Sequence, residues 1–225
     1  MIVEPVSGTG GVLIPPEGYL EKLRKICTDN DILLIFDEVI TGFGRLGKPF
    51  ASHYFNIIPD LFALAKGLTS GTVPMGAAVV HQKIYDTITS GNKGIDLYHG
   101  YTYSAHPLAC AAALAAINLY ERENLLNTSQ ELIKYFEDGL HSLRGSRHVI
   151  DIRNIGLLGA IELSPIPKQP YVRASNVFKK MWHEQNCYVR LTVGEVLTLA
   201  PPLIINKEEI DKIIDSFNKV LKEID

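Results

Sequence analysis

Two residues stand where this chain could do covalent chemistry. Asp37 closes the apolar run ILLIFDE, and Lys66 follows LFALA. Short continuous apolar runs of this length fit strands buried on both faces of a parallel sheet. In open α/β sheets ligands gather at the carboxyl ends of such strands, so adjacent parallel strands would bring Asp37 and Lys66 to one rim. A lysine amine there can form an imine with an aldehyde. A carboxylate beside a pyridine nitrogen keeps that nitrogen protonated and makes the ring a better electron sink. The pair therefore suits pyridoxal 5'-phosphate (PLP), with Lys66 also placed to move a proton once an amino substrate has displaced it. The same residues allow a plainer reading, in which Asp37-Glu38 begins a solvated loop and Lys66 is a surface charge.

The elements that must position this pair can be read around it. Residues 2–6 look like a strand, which needs neighbouring strands. Pro15-Pro16-Glu17 marks a helix start, with Tyr19, Leu20, Leu23, Ile26 and Cys27 recurring at helical spacing. Residues 32–36, 61–64 and 77–80 read as strands, and residues 107–123 as an alanine-rich helix. Residues 124–143 read as another helix, with Leu132, Ile133, Phe136 and Leu140 on one stripe. Strands alternating with helices point to an α/β fold with a mainly parallel sheet.

The remainder changes character. Residues 149–155 and 157–163 predict a strand pair broken at Gly156, and residues 172–185 a helix. Residues 187–191 and 196–199 predict strands around Gly194. Ile210, Ile213, Ile214, Phe217, Val220 and Leu221 form the apolar face of a last helix. The expected division is residues 1–125 as a partial large domain and residues 126–225 as a small α+β domain.

Composition narrows the partners. The 225 residues carry a net charge of −3 with no Lys/Arg block, which argues against nucleic acid or an anionic membrane surface. No apolar run approaches the roughly 20 residues of a membrane span, and the first residues lack a signal-peptide pattern. Cys27, Cys110 and Cys187 are odd in number and lack CxxC spacing, so reduced thiols in a cytoplasmic setting are expected. The seven histidines show no HExxH or similar cluster, and no metal is expected.

Two longer stretches, LLIFDEVITGFGRLG and PDLFALAKGLTSGTVPMGA, extend the two apolar runs, and a third, HGYTYSAHPLACAAALAAI, follows them. With EPVSGTGGVLIPPEGYL upstream and LAPPLIINKEEID near the end, they span nearly the whole chain. Together they resemble the class III PLP-dependent aminotransferases, above all the β-alanine (ω-amino acid)–pyruvate enzymes. That resemblance implies a fold type I transferase, here part of its large domain plus the small C-terminal domain. It also implies amino transfer from an ω-amino acid or amine to pyruvate, through PLP.

The same resemblance assigns roles. Asp37 would pair with the pyridine nitrogen, Val39 would pack on the ring face, and Lys66 would hold the cofactor's aldehyde carbon. Glu4 would lie near the ring hydroxyl. Thr102 would bind the phosphate of the partner subunit's cofactor, implying a homodimer with a shared active site. Arg190 would clamp a substrate carboxylate bidentately.

The chain departs from the family pattern in four places. About half of a family chain has no counterpart here, including the main phosphate-binding loop and a ring-stacking aromatic. A fragment, a piece of a split protein or a truncated product is therefore expected, binding PLP weakly by itself. Thr9 stands where the ornithine and 4-aminobutyrate enzymes carry a glutamate that masks the substrate arginine, which favours pyruvate over 2-oxoglutarate as acceptor. Ala105 replaces the glycine usual in TYSGHP, at a cost of about 1 kcal/mol if the position needs positive φ. Counting back from Pro201 puts Leu191 in the arginine slot, but only Arg190 can form the ion pair.

Three rival readings stand beside this one. Gly42-Phe43-Gly44-Arg45-Leu46-Gly47 is a literal GxGxxG after a strand, the signature of a dinucleotide site. Against it, Asp37-Glu38 would crowd a pyrophosphate, and Pro49 interrupts the segment. Aminomutases and decarboxylases share much of the PLP architecture. A non-catalytic remnant acting as an interaction module is the third.

Overall fold

The computed structural model describes residues 1–90, 97 and 99–224, and the chain divides into two compact units. The first comprises Met1–Pro5, Pro16–Phe43 and Phe50–Asn124; the second comprises Val6–Pro15, Gly44–Pro49 and the chain from Leu125 onward.

The first unit is built on strands β1 (Ile2–Val3), β2 (Ile35–Asp37), β3 (Leu61–Leu64) and β4 (Ala77–Val80), in that order across the sheet. Its helices are α1 (Tyr19–Asp29), α2 (Ala51–Phe55), α3 (Gln82–Thr89) and α4 (Pro107–Arg122). β1, β2 and β3 run parallel, with Val3 opposite Phe36 and Asp37 opposite Ala63. Helix α1 crosses from β1 to β2 and buries Leu20 and Cys27 against Leu34, Phe36 and Ile57.

β4 pairs antiparallel with β3, so the sheet is mainly rather than wholly parallel. The connection explains this. Between β3 and β4 lie only a four-residue 3-10 helix, Lys66–Thr69, and turns, whereas a parallel return usually runs through an α-helix packed against the sheet. The second strand is also shorter than its apolar run. The Leu34 N–H donates to the Asp60 carboxylate at 2.7 Å, the ladder begins at Ile35, and Ile32 and Leu33 are exposed.

The second unit carries α5 (Gln130–His141), β5 (Val149–Ile155), β6 (Leu158–Leu163), α6 (Val172–His183), β7 (Arg190–Leu191), β8 (Val196–Leu199) and α7 (Lys207–Glu223). Its sheet, ordered β5-β6-β8-β7, is antiparallel throughout. Phe136 and Leu140 of α5, Val177 and Met181 of α6 and Phe217 and Val220 of α7 meet Ile161 and Leu197 of the sheet in one core. Ser129 caps α5, and Asn206 with Glu209 forms a capping box on α7. Gly156 turns the β5–β6 hairpin at φ 56°, and a Cβ there would lie 2.5 Å from the Leu46 Cα, so no larger residue fits. The Arg153 guanidinium donates to the Gly11 carbonyl at 2.9 and 3.1 Å, tying residues 6–15 into this unit.

Asp60 joins the elements beneath the first sheet. It accepts from the Leu34 N–H and, at 2.7 Å, from Arg24 of α1. Partial burial pushes its carboxyl up, but the Leu34 N–H and Arg24 outweigh that and leave it below the usual aspartate value. The stability it contributes is therefore complete above that usual value and is lost as pH falls through the lower, folded-state one. Asp60→Asn should lower the thermal midpoint at neutral pH, and the gap from the parent should close on acidification. Melting curves across the acid range check this.

Candidate active site

Residues alternate across a strand, and this sorts the rim. Phe36 goes into the core beneath α1, so Asp37 takes the opposite face of the sheet. Val3 and Phe62 pack with that core from the flanking strands. Their successors Glu4 and Ala63 therefore fall on the Asp37 face, one on each side. Parallel strands lie about 4.8 Å apart, so Glu4, Asp37 and Ala63 form a row at the carboxyl ends of β1, β2 and β3. Lys66 leaves the end of β3 three residues beyond Ala63. The structure thus brings Glu4, Asp37 and Lys66 to one edge, and Ala63, with only a methyl group, leaves the sheet surface beside Asp37 low.

Local bonds hold this edge. The Val39 N–H donates to Asp37 Oδ1 at 3.0 Å, which fixes the carboxylate as β2 ends. Lys66 is exposed and sits in the left-handed region at φ 48°. Its carbonyl accepts from the Gly71 N–H at 3.2 Å, and the Ala65 carbonyl from the Leu68 N–H at 3.0 Å. Gly67 lies flush on Phe43, where a Cβ would come within 2.7 Å of the Phe43 Cβ.

Glu38 begins the loop after β2 but is not solvated, contrary to the plainer reading of Asp37-Glu38. It is fully buried, and its carboxylate accepts from the Ala51 N–H at 2.7 Å, the Ser52 N–H at 2.9 Å and the Thr41 hydroxyl at 2.8 Å. Burial pushes its carboxyl up despite these three donors. The bonds lash the loop after β2 to the start of α2, and that loop carries Phe43. They also dispose of the dinucleotide reading. The helix after GxGxxG has five residues, and its first two N–H groups are taken by Glu38 instead of facing a pyrophosphate.

Thr102 lies in an exposed turn before α4. His106 ends that turn by accepting the Leu108 N–H at 3.2 Å, which makes it a helix cap. A pocket of about 400 Å³ adjoins the turn, lined by Met75, Tyr101, Tyr103, Ala105 and His106 among others. Ala105 has φ 55°, so the position that resembles a family glycine does adopt the left-handed conformation.

In the second unit Arg190 is exposed at the start of β7, opposite Thr198, while Leu191 packs towards the core opposite Leu197. Of the two residues competing for the arginine slot, the one with a guanidinium is the outward one. Trp182 belongs to a partly exposed aromatic cluster with Phe178 and Tyr188. Among the described residues no His/Cys/Asp/Glu group could hold a metal ion, and no helix is long and apolar enough to cross a membrane.

Sequence reasoning missed Glu38, Phe43, Gly67 and Tyr120. The Tyr120 hydroxyl, on α4, donates to the Gly67 carbonyl at 2.7 Å. Its place on a stripe with Ala109, Ala113 and Ala116 is helical spacing and was readable; its partner was not.

This geometry has close counterparts. The profile of the family "Aminotransferase class-III" matches residues 1–221. The omega-aminotransferase of Caulobacter vibrioides is 51% identical over 226 residues, covering all of this chain and 51% of that protein. The beta-alanine–pyruvate aminotransferase of Pseudomonas aeruginosa is 48% identical, covering all of this chain and 50% of that protein. An amine transaminase from an uncultivated Pseudomonas species, solved in a PLP-bound form, superposes with a TM-score of 0.91 at 35% identity, over all of this chain and 52% of that one. The chain belongs to the class III aminotransferase family, with the transaminase fold, as its motifs implied. It spans about half the length of the curated relatives it matches. The family and its PLP-bound neighbour imply pyridoxal phosphate as cofactor.

Ala105 supplies a direct test of local strain. An L-residue at positive φ costs about 1 kcal/mol or more relative to glycine. Ala105→Gly should raise the thermal midpoint by about 2–4 °C, and an unchanged or lowered midpoint would contradict a strained turn.

Proposed function

We propose that this chain supplies the lysine, the ring-nitrogen carboxylate and the second unit of a PLP-dependent transaminase that moves an amino group from an ω-amino acid or amine to pyruvate. The observation that carries the proposal is the parallel register of β2 and β3, with Asp37 opposite Ala63 and Lys66 following at the same edge.

The residues present fit the ring and aldehyde ends of the cofactor. Asp37 offers an oriented carboxylate, Lys66 an amine leaving the same edge, and Ala63 a low floor beside Asp37 on the side away from Glu4. When bound, PLP supplies an electrophilic carbon for the amine and a ring that stores an electron pair. Asp37 would keep the ring nitrogen protonated and Val39 would press on the ring face. Glu4 would serve the ring hydroxyl. Lys66 would hold the aldehyde carbon, yield it to the donor amine, and then carry a proton from the substrate Cα. Arg190 would pair with a substrate carboxylate.

Thr102 offers a single hydroxyl to a phosphate with close to two negative charges. The remaining phosphate donors are proposed to come from outside this chain, and Thr102 is proposed to serve the partner's cofactor in a homodimer. Leu108 at the start of α4, exposed beside Tyr101 and Tyr103, and Leu114, exposed further along the helix, support such an interface. Pyruvate rather than 2-oxoglutarate is favoured by Thr9 and by the named activity of the Pseudomonas aeruginosa relative. The three free thiols are in keeping with a cytoplasmic setting.

Two substitutions separate the roles. In the holoenzyme, Lys66→Ala should abolish turnover of an ω-amino donor with pyruvate and remove the visible absorbance of lysine-bound cofactor. Asp37→Asn should keep that absorbance and lose several orders of magnitude in turnover, because the ring nitrogen loses its proton. Near-normal turnover in Asp37→Asn would remove the ring contact, and a Lys66→Ala protein that still turned over would remove the lysine.

A further inference from the structure

We infer that Tyr120 is a positioning residue for Lys66, acting through the backbone of the lysine turn. The inference rests on the Lys66 assignment above and goes beyond it by naming the side chain that anchors the turn one residue after the lysine.

A non-glycine residue at positive φ persists only where its surroundings over-determine it. Lys66 is such a residue, at φ 48°, at the point where β3 becomes the 3-10 helix. Three contacts converge on the next residue. The Gly67 Cα side has no room beyond Phe43. The Gly67 carbonyl accepts the Ser70 N–H at 3.1 Å, a bond internal to the turn. The same carbonyl accepts the Tyr120 hydroxyl at 2.7 Å, a bond from a different element 53 residues away in sequence.

Tyr120 is itself immobilised. It is 6% exposed, its ring lies 6.0 Å from that of Phe43, and Phe43 meets Phe50 edge-on at 5.4 Å. Helix α4 packs directly against the 3-10 helix. The lysine turn is thus held on one side by Phe43, itself on the loop fastened by Glu38, and on the other by the Tyr120 hydroxyl. Removing the hydroxyl alone leaves the Phe43 contact and the internal turn bonds, but loosens the Gly67–Leu68 peptide and with it the turn that holds the adjoining Lys66 backbone.

Tyr120→Phe tests this, since it keeps the ring and deletes one oxygen. In the PLP-free protein, hydrogen exchange at the Leu68, Ser70 and Gly71 amides should quicken by about fivefold, the worth of one net hydrogen bond. In the holoenzyme, borohydride reduction should place the phosphopyridoxyl group on Lys66 about fivefold more slowly than in the parent. Tyr135→Phe, which removes an exposed hydroxyl bonded to Asp211 in the second unit, should change neither readout. A Tyr120→Phe protein that melted lower but kept parental exchange and parental trapping would reduce Tyr120 to a packing residue and overturn the inference, as would no change at all. A parent holoenzyme with no label on Lys66 would instead reject the lysine assignment, and with it this role for Tyr120.

Discussion

Parallel pairing of β2 with β3 is the constraint on which the candidate site depends. Both strands deliver their carboxyl ends to the same edge, and the Asp37–Ala63 register decides how far apart the acid and the lysine emerge. An antiparallel pair would send the two residues to opposite ends of the sheet. A shift of one residue would turn Asp37 into the core face now held by Phe36. Burial of Phe36 under α1 therefore does two jobs: it stabilises the first unit and aims Asp37.

Around this register, Asp37 and the turn that carries Lys66 are backed by groups that do no chemistry. Asp37 is oriented by the Val39 amide. Glu38, its neighbour, is consumed in fastening the loop that carries Phe43. Phe43 meets Gly67, and Gly67 takes the Tyr120 hydroxyl. Two adjacent carboxylates thus have opposite fates, set by which face of β2 and which donors each one meets.

Much of this was legible beforehand. Asp37 and Lys66 stood out because each ends an apolar run, and strand periodicity together with the rim rule says where such residues go. The helix stripes of α1, α5 and α7, the alanine-rich α4 and the break at Gly156 followed from spacing, composition and turn chemistry. The direction of β4 was less accessible, because it is decided by how little structure the Lys66–Gly76 connection contains. The late start of β2 depends on Asp60 capturing the Leu34 amide from 26 residues away. Glu38 looked solvated because its donors, Ala51 and Ser52, reach it only after the loop has folded back. Ala105 is the opposite case: a family glycine replaced by alanine led directly to a positive-φ position.

Family membership and fold rest on the whole chain, whereas the chemistry rests on a few atoms at the end of two strands. A crystal structure of the holoenzyme would test the latter most directly. The account predicts the pyridine nitrogen within about 3 Å of an Asp37 carboxylate oxygen, with Lys66 Nζ at the aldehyde carbon and the ring above Ala63. A ring whose nitrogen faced Glu4 or another acid, or whose aldehyde carbon met a different lysine, would contradict it.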